Sequence, residues 1–298
     1  MSYQIAIASG KGGTGKTSVS VNLFHSFSKF AKITKTTLVD CDVEEPNALI
    51  FFPTSQKTQS HQIELQVAQI DNDKCTYCRK CVDWCEFNAI SVIPPVQYAK
   101  VDPQLCHACG ACLYACNEGA IQEVPHLIGE THLYEISENG YLEEGNLRIG
   151  SPMQTSLIKA LKKDLKSNPE FVIFDAPPGT SCPVVETIAD SDYVVLVTEP
   201  TPFGLYDLKL MIDLLKEVKI PYGVVINKAQ KGFQESYQYL KENNIEVLAE
   251  IPFSKEYASL YSNGDIINKQ PEEFKGIYEK LKNKIISKSE SHARNYNT

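Results

Sequence analysis

The stretch ASGKGGTGKTS, residues 8–18, decides the fold of this chain. Its residues 10–17 satisfy the pattern G-x-x-x-x-G-K-[ST], directly after an apolar strand pattern and directly before a helical pattern. In such a loop the glycines let backbone N–H groups face the phosphates of a nucleotide, while Lys16 adds positive charge and Thr17 can bind Mg²⁺. The sequence therefore predicts a phosphate-binding loop, with the candidate nucleotide contacts Gly10, Lys11, Gly12, Gly13, Thr14, Gly15, Lys16, Thr17 and Ser18.

A second lysine, Lys11, directly follows the first glycine of this loop. This deviant form of the loop resembles that of the ParA/MinD/Mrp and nitrogenase iron protein group of P-loop ATPases. The resemblance implies an α/β fold with a doubly wound, mostly parallel sheet, and ATP and Mg²⁺ as ligands. It also implies an ATP-dependent homodimer in which Lys11 reaches the nucleotide bound by the partner subunit.

Later segments resemble the same group, in the same order along the chain. TTLVDCDVEEPNAL, residues 36–49, ends a buried strand pattern in Asp40 and Asp42, and FVIFDAPPGTSC, residues 171–182, ends another in Asp175. By the resemblance, Asp42 orients the attacking water, whereas Asp40 and Asp175 lie near Mg²⁺. The catalytic candidates are then Lys11, Lys16 and Asp42. The remaining expected nucleotide contacts are Gly179 at the γ-phosphate and, at the adenine ring, Asn227, Pro252 and Phe253.

A cysteine-rich repeat interrupts this frame. Residues 71–94 align without gaps to residues 102–125 at a constant offset of 31, and eight of the ten cysteines of the chain fall within these 42 residues from 75 to 116. Both copies resemble the motif of bacterial two-cluster ferredoxins, in which three closely spaced cysteines bind one 4Fe–4S cluster and the fourth binds the other. The resemblance implies one cluster on Cys75, Cys78, Cys81 and Cys116, and a second on Cys106, Cys109, Cys112 and Cys85.

Structural zinc is the alternative for these cysteines, because zinc also binds paired C-x-x-C units. Zinc has no use, however, for a third cysteine two residues after the second. The ferredoxin motif usually has proline after its fourth cysteine, whereas Glu86 and Asn117 stand there in this chain. We expect Trp84, Tyr77 and Tyr114, which flank the cysteines, to shield the clusters from solvent.

The repeat divides the chain into a discontinuous ATPase domain, residues 1–62 and 131–298, and an inserted α+β bacterial-type ferredoxin domain, residues 63–130. Between the two, alternating apolar residues around Asn139-Gly140 predict a hairpin. Near the C-terminus, apolar residues recur on one face of a helical pattern, which is more typical of a core helix than of a membrane-binding one. They are Phe274, Ile277, Tyr278, Leu281 and Ile285. We expect the polar tail after Ser287 to be disordered.

The composition limits the partners and the location of the chain. The formal net charge is −8, which argues against nucleic acid as the main partner. A local basic stripe, Lys159, Lys162, Lys163 and Lys166, is most simply a solvated helix face. No apolar run approaches the roughly 18 residues that a membrane helix needs, and the N-terminal apolar segment reads as a strand, not as a signal peptide. We therefore expect a cytoplasmic protein without a membrane partner.

The combined motifs favour an ATPase whose nucleotide-gated dimer couples ATP to electron transfer through two 4Fe–4S clusters to a protein partner. A maturation or scaffold ATPase of the Mrp type, with the clusters as cargo, is the alternative, and a positioning ATPase of the ParA/MinD type is a third. Cys182 lies seven residues after Asp175, at the spacing of a cluster ligand in the nitrogenase iron protein. The chain shows no obvious second cysteine for such a site, so we expect Cys182 to be a buried thiol.

Overall fold

The structure is a computed structural model and describes residues 2–30, 32–163, 165, 169–229 and 233–296. Its strands are β1 (Tyr3–Ala8), β2 (Thr36–Asp40), β3 (Gln56–Ile70), β4 (Ile90–Ile93), β5 (Tyr98–Val101), β6 (Ile121–Ser137), β7 (Gly140–Leu147), β8 (Phe171–Asp175), β9 (Tyr193–Thr198), β10 (Tyr222–Ala229) and β11 (Val247–Pro252). Its α-helices are α1 (Lys16–Ser28), α2 (Lys80–Asp83), α3 (Ala111–Ala115), α4 (Gln154–Lys163), α5 (Cys182–Ile188), α6 (Pro202–Val218), α7 (Glu235–Glu242), α8 (Lys255–Ser262) and α9 (Glu272–Tyr296).

Within these described ranges, nine strands form one sheet in the order β11-β10-β9-β1-β8-β2-β7-β6-β3. The strands from β11 to β7 pair in parallel. The central strands β1, β8 and β9 are mostly apolar, and together with β2 they are buried on both faces, as parallel strands covered by helices must be. This arrangement confirms the prediction of an α/β fold with a mostly parallel sheet.

The far edge of the sheet is antiparallel. Strands β6 and β7 form a hairpin that pairs Ser137 with Gly140, which confirms the predicted turn. Strand β6 continues past its last partner in β7, the pair Gly129–Leu147, and residues 121–127 pair only with β3. At about 3.4 Å per residue, this two-stranded ribbon extends about 25 Å beyond the hairpin.

The segment between the ribbon strands carries the cysteines. It contains the short helices α2 and α3 and a two-stranded antiparallel sheet, β4–β5. A hydrophobic cluster of its own joins the tip of the ribbon to this sheet through Ala68, Ile70, Ile90, Val92 and Val101. This core is separate from the two clusters of buried residues that cover the faces of the large sheet.

Helix α9 packs against the large sheet with its predicted apolar stripe inward. Phe274, Tyr278, Leu281 and Ile285 are buried, and the stripe is therefore part of the core. The prediction of a disordered tail after Ser287 was wrong, because α9 continues to Tyr296. No helix of the described ranges is both long enough and apolar enough to cross a membrane.

The basic stripe on α4 is only partly the solvated face that we predicted. Lys159 and Lys163 are exposed, but the ammonium of Lys162 donates to the carbonyls of Glu186, Thr187 and Ala189 at the end of α5. These carbonyls lack partners within their own helix, and a cation at a helix C-terminus is favourable. Lys162 therefore stabilises the packing of α4 on α5, while Lys166 lies outside the described residues.

Candidate functional site

The phosphate-binding loop lies between the end of β1 and the start of α1. Gly13 and Gly15 have φ of 77° and 92°, in the left-handed region that favours glycine. A Cβ on Gly15 would lie 2.2 Å from the side-chain amide nitrogen of Asn227, so any other residue there would displace that amide. Ser9 Oγ donates to the Lys11 carbonyl at 2.7 Å, and Lys16 is 8% exposed. The loop is thus held in shape with the Lys16 side chain enclosed.

Buried carboxylates meet Lys16 at the end of the central strands. Asp40 and Asp175, at the ends of the paired strands β2 and β8, are 1% exposed each, and Ser20 Oγ donates to Asp175 Oδ1 at 2.9 Å. Burial raises the pKa of Asp175, although the hydroxyl of Thr17 counteracts the rise. Burial, with the charge of Asp175, raises the pKa of Asp40 well above its usual range. Two acidic groups that resist ionisation side by side make a favourable place for a divalent cation.

Asp40 also organises the segment after β2. Its Oδ1 accepts from the backbone N–H of Asp42 at 3.1 Å, and its Oδ2 accepts from Asn47 at 2.9 Å and Ala48 at 3.0 Å. These bonds fold residues 41–48 back over the strand end and leave Asp42 only half-buried. Burial raises the pKa of Asp42, while the charge of Lys16 lowers it. Asp42 therefore lies within the electrostatic reach of the phosphate-loop lysine.

The other expected nucleotide contacts border the same loop. The N–H of Gly179, whose φ is 97°, donates to the Ser9 carbonyl at 3.1 Å. Asn227 Nδ2 donates to the Thr14 carbonyl at 2.7 Å, so part of this amide is engaged by the loop itself. Phe253, after β11, is 48% exposed, and its N–H donates to the carbonyl of Ala229 beside Asn227.

The cysteines of the repeat line cavities in the inserted segment. One cavity is lined by Cys85, Cys106, Cys109 and Cys112, together with Gln66 and Ala68 of the ribbon. Another is lined by Cys75, Cys78, Cys81 and Cys116, together with Ile70 and Ile121 near the ribbon tip. The structure thus groups the cysteines into the same sets of four that the ferredoxin resemblance implies. The first cavity lies nearer to the large sheet, because Gln66 precedes Ile70 along the ribbon.

The backbone of the cysteine loops repeats as the sequence does. Positive φ values occur in pairs separated by 31 residues: Tyr77 and Ala108, Arg79 and Gly110, Asn88 and Gly119. Left-handed residues between closely spaced cysteines turn backbone N–H groups toward a common centre, an arrangement suited to anionic groups. The N–H of Tyr77 donates to Cys75 Sγ, that of Ala89 to Cys85 Sγ and that of Ala120 to Cys116 Sγ, each at 3.4 Å.

The thiols of these cavities do not surround a single point in the structure. No group of three or more Cys, His, Asp or Glu side chains in the described part of the chain is close enough to hold one metal ion. Burial and the nearby Cys106 raise the pKa of Cys112 to about 11, so a metal that binds this thiol must displace its proton.

Two expectations about individual side chains were wrong. Cys182 is exposed at the first residue of α5, whereas we expected a buried thiol; of the two cysteines outside the repeat, Cys41 is the buried one. Burial raises the pKa of Cys41, which makes it unreactive. Trp84 and Tyr77 each line a cysteine cavity, but Tyr114 is 86% exposed and cannot shield one.

Glu199 and Lys228 were not among the predicted site residues. Glu199 follows β9, and its carboxylate lies 2.5 Å from Lys228 Nζ and 3.7 Å from Lys11 Nζ. Lys228 Nζ also donates to the carbonyl of Gly13 at 2.9 Å. Their positions in the sequence could have indicated a role at the site, because Glu199 and Lys228 both lie at the C-terminal ends of parallel strands, where α/β folds bind ligands.

Comparisons with known proteins agree with the fold and the loop. A family model described as the CobQ/CobB/MinD/ParA nucleotide binding domain matches residues 5–267. An uncharacterized protein of Methanocaldococcus jannaschii is 35% identical over 286 residues, which cover 94% of this chain and 96% of that protein. An iron-sulfur cluster carrier protein of Pyrococcus horikoshii is 23% identical over 75% of this chain and 60% of its own length.

A solved structure of lower sequence identity also has the fold of this chain. The septum site-determining protein MinD of Pyrococcus horikoshii, complexed with Mg-ADP, aligns over 96% of both chains with a TM-score of 0.59 and 18% identity. This likeness shows a shared fold. The chain belongs to the CobQ/CobB/MinD/ParA family of nucleotide-binding proteins and has its P-loop ATPase fold.

Proposed function

We propose that this chain is an ATP-hydrolysing iron–sulfur protein, in which a nucleotide-gated homodimer couples ATP to electron transfer to a protein partner. The observation that carries the proposal is the lining of the cysteine cavities. Each contains three cysteines of one repeat and the fourth cysteine of the other, in a chain that also has a phosphate-binding loop. When bound there, 4Fe–4S clusters would supply one-electron redox chemistry.

The nucleotide half of the proposal rests on the loop and on the acidic groups beside it. Lys16 and the loop N–H groups would bind the phosphates, and Thr17, Asp40 and Asp175 would hold Mg²⁺ directly or through water. Asp42 is the candidate that orients the attacking water, because it is only half-buried and lies within the electrostatic reach of Lys16. The adenine contacts of Asn227, Pro252 and Phe253 are part of the same proposal.

Dimer formation across the loop is supported by an exposed aromatic surface beside it. Phe203 and Tyr206, at the start of α6, are 78% and 64% exposed. The same helix turn packs against the loop, since a Cβ on Gly10 would lie 2.5 Å from the carbonyl oxygen of Asp207. Large exposed aromatic side chains at such a place are typical of a protein interface.

A chain of backbone contacts leads from Asp42 to the cysteine segment. The carbonyl of Val43, the next residue, accepts from the N–H of Leu147 at 2.8 Å, and Leu147 pairs with Gly129. The N–H of Arg148 donates to the carbonyl of Ile128 at 2.8 Å. Ile128 is the extra residue of a bulge where β6 leaves β7 and becomes part of the ribbon. A movement of the Asp42 segment would therefore act on the root of the ribbon.

The alternative function is maturation or carriage of clusters, which relatives named as iron-sulfur cluster carrier proteins favour. A carrier needs exposed, labile ligands. Of the cysteines that line the cavities, Cys78 and Cys109 are exposed, whereas the others are half-buried or buried. This burial supports clusters that are retained in the chain. A carrier would transfer its iron and sulfide to an acceptor protein on incubation, and a resident redox centre would not.

Iron analysis after anaerobic purification tests the cluster assignment. We expect about eight irons per chain and a brown, charge-transfer absorption. Cys81→Ser and Cys112→Ser, equivalent positions of the repeat, should each lower the iron content by about half, because each removes a ligand of a different cavity. Stoichiometric zinc without charge-transfer absorption would contradict the assignment.

Nucleotide titration tests the ATPase half separately. Lys16→Ala should abolish ATP binding, because the loop loses the buried charge that faces the terminal phosphates. Its iron content should equal that of the wild type, which serves as the folding control. Wild-type ATP affinity in Lys16→Ala would contradict the assigned phosphate site.

A further inference from the structure

The phosphate-binding loop is held from outside by side chains of neighbouring strands. Asn227 and Lys228, consecutive residues near the end of β10, donate to the carbonyls of Thr14 and Gly13 at 2.7 and 2.9 Å. Consecutive strand residues normally point to opposite faces of a sheet. Lys228, however, has a φ of 53°, and the pairing of β10 with β11 is irregular between Ile226 and Ala229. This departure from strand geometry lets both side chains reach one loop.

Glu199 completes the arrangement. Its carboxylate is 14% exposed and lies 2.5 Å from Lys228 Nζ, which makes the ion pair short and partly enclosed. The same carboxylate lies 3.7 Å from Lys11 Nζ. Glu199 thus fixes the ammonium of Lys228 between the end of β9 and the loop, and the positive charge of Lys16 remains to attract a polyphosphate.

We propose that Asn227, Lys228 and Glu199 form a loop brace that sets the phosphate-binding conformation before nucleotide arrives. By holding the carbonyls of Gly13 and Thr14 outward, the loop brace keeps the neighbouring N–H groups directed toward the phosphates. Lys228 and Glu199 are then positioning residues for the phosphate cradle, not contacts of the base. The strained backbone at Lys228 fits this role, because such strain is retained where the surroundings require it. The inference rests on the proposed nucleotide function.

The test compares binding of ADP and of inorganic pyrophosphate, each in competition with a fluorescent ADP analogue. Lys228→Met should weaken both by roughly 10- to 100-fold, as expected for a lost charge-assisted hydrogen bond. Glu199→Gln, which keeps an acceptor for Lys228, should weaken both by a smaller factor. Because the two residues act together, the double variant should bind no more weakly than Lys228→Met alone. Lys241→Met, an exposed lysine on α7, is the matched control and should bind as the wild type does.

The outcomes separate this inference from the proposed function. A loss of ADP binding with unchanged pyrophosphate binding would overturn the loop brace and make Lys228 a base contact. Wild-type affinities in Lys228→Met and Glu199→Gln would overturn it as well. If Lys228→Met does not fold, the Glu199→Gln variant decides alone. Failure of the wild-type chain itself to bind ADP would instead contradict the proposed function.

Discussion

Gly129→Ala tests whether the root of the ribbon is as tightly packed as the structure indicates. A Cβ at this position would lie 2.5 Å from the carbonyl oxygen of Asn146 and 2.9 Å from Cδ2 of Leu157. The Asn146 oxygen belongs to the backbone of the paired strand and cannot rotate away, so β6 must move relative to β7. Overpacking of this kind costs about 1–3 kcal/mol, and the smaller entropy of the unfolded Ala chain offsets about 0.4–1 kcal/mol of that. We expect a net destabilisation of about 1–2 kcal/mol.

The assay measures the melting temperature of the wild type and the variants without nucleotide, in samples with the same iron content per chain. Gly276→Ala is the control, because a Cβ there meets no atom within 4 Å and the residue lies inside α9. Replacing an exposed helix glycine should stabilise the chain by about 0.5–1 kcal/mol. The two alanine variants should therefore shift the melting temperature in opposite directions, each by a few degrees or less. A Gly129→Ala protein as stable as Gly276→Ala would refute the packing of the ribbon root.

Asp42→Ala should bind ATP at near wild-type affinity, because the phosphate-binding loop stays intact. It should hydrolyse ATP at least 100-fold more slowly in a steady-state phosphate-release assay, because the group that orients the attacking water is removed. A loss of ATP affinity as large as the loss of hydrolysis rate would contradict that role. Cys182→Ser should leave iron per chain unchanged, since Cys182 is exposed and lies outside both cysteine cavities, and a clear fall in iron would assign it a metal role. Burial, with Lys29 and Lys275, lowers the pKa of His25 to about 4. His25 is therefore protonated below about pH 6.5 in the unfolded chain, but it stays neutral in the native chain down to about pH 4. The free energy of unfolding should fall as the pH drops from about 6.5 to 4. His25→Gln should flatten that part of the melting temperature profile, and an unchanged profile would contradict the assigned shift.

The sheet could be predicted because its signals are local. Strands such as residues 171–175 are continuous apolar runs bounded by an aspartate, and the positions of the strand ends place Asp40 and Asp175 together. The cysteine sets were implied by the ferredoxin resemblance and stay a prediction, although the backbone turns between the cysteines do recur at the repeat offset of 31. The ferredoxin-like domain and its boundaries stay predictions, and the ribbon pairing runs without interruption across residues 62 and 63.

Features that depend on distant side chains could not be read from the sequence. The ammonium of Lys162 donates to a backbone carbonyl at the end of α5. Helix α9 continues past Ser287, and His292 Nε2 in this last part of the helix lies 3.3 Å from Asp192 Oδ1. Both contacts join residues far apart in the sequence, and amphipathic periodicity carries no information about them. The loop brace was missed for the same reason, since Glu199 and Lys228 meet only when β9 and β10 pair.

The most direct test of the central claim measures whether nucleotide and clusters act on each other. A slowly hydrolysed ATP analogue is titrated without oxygen into protein with oxidised clusters and, separately, with dithionite-reduced clusters. Coupling must be reciprocal, and a typical coupling free energy of about 1–3 kcal/mol corresponds to an affinity difference of roughly 5- to 150-fold. We expect such a difference in the wild type and none in a Cys81→Ser/Cys112→Ser variant that lacks clusters. Identical affinities in oxidised and reduced wild-type protein would contradict the claim that nucleotide state and the cysteine segment are coupled.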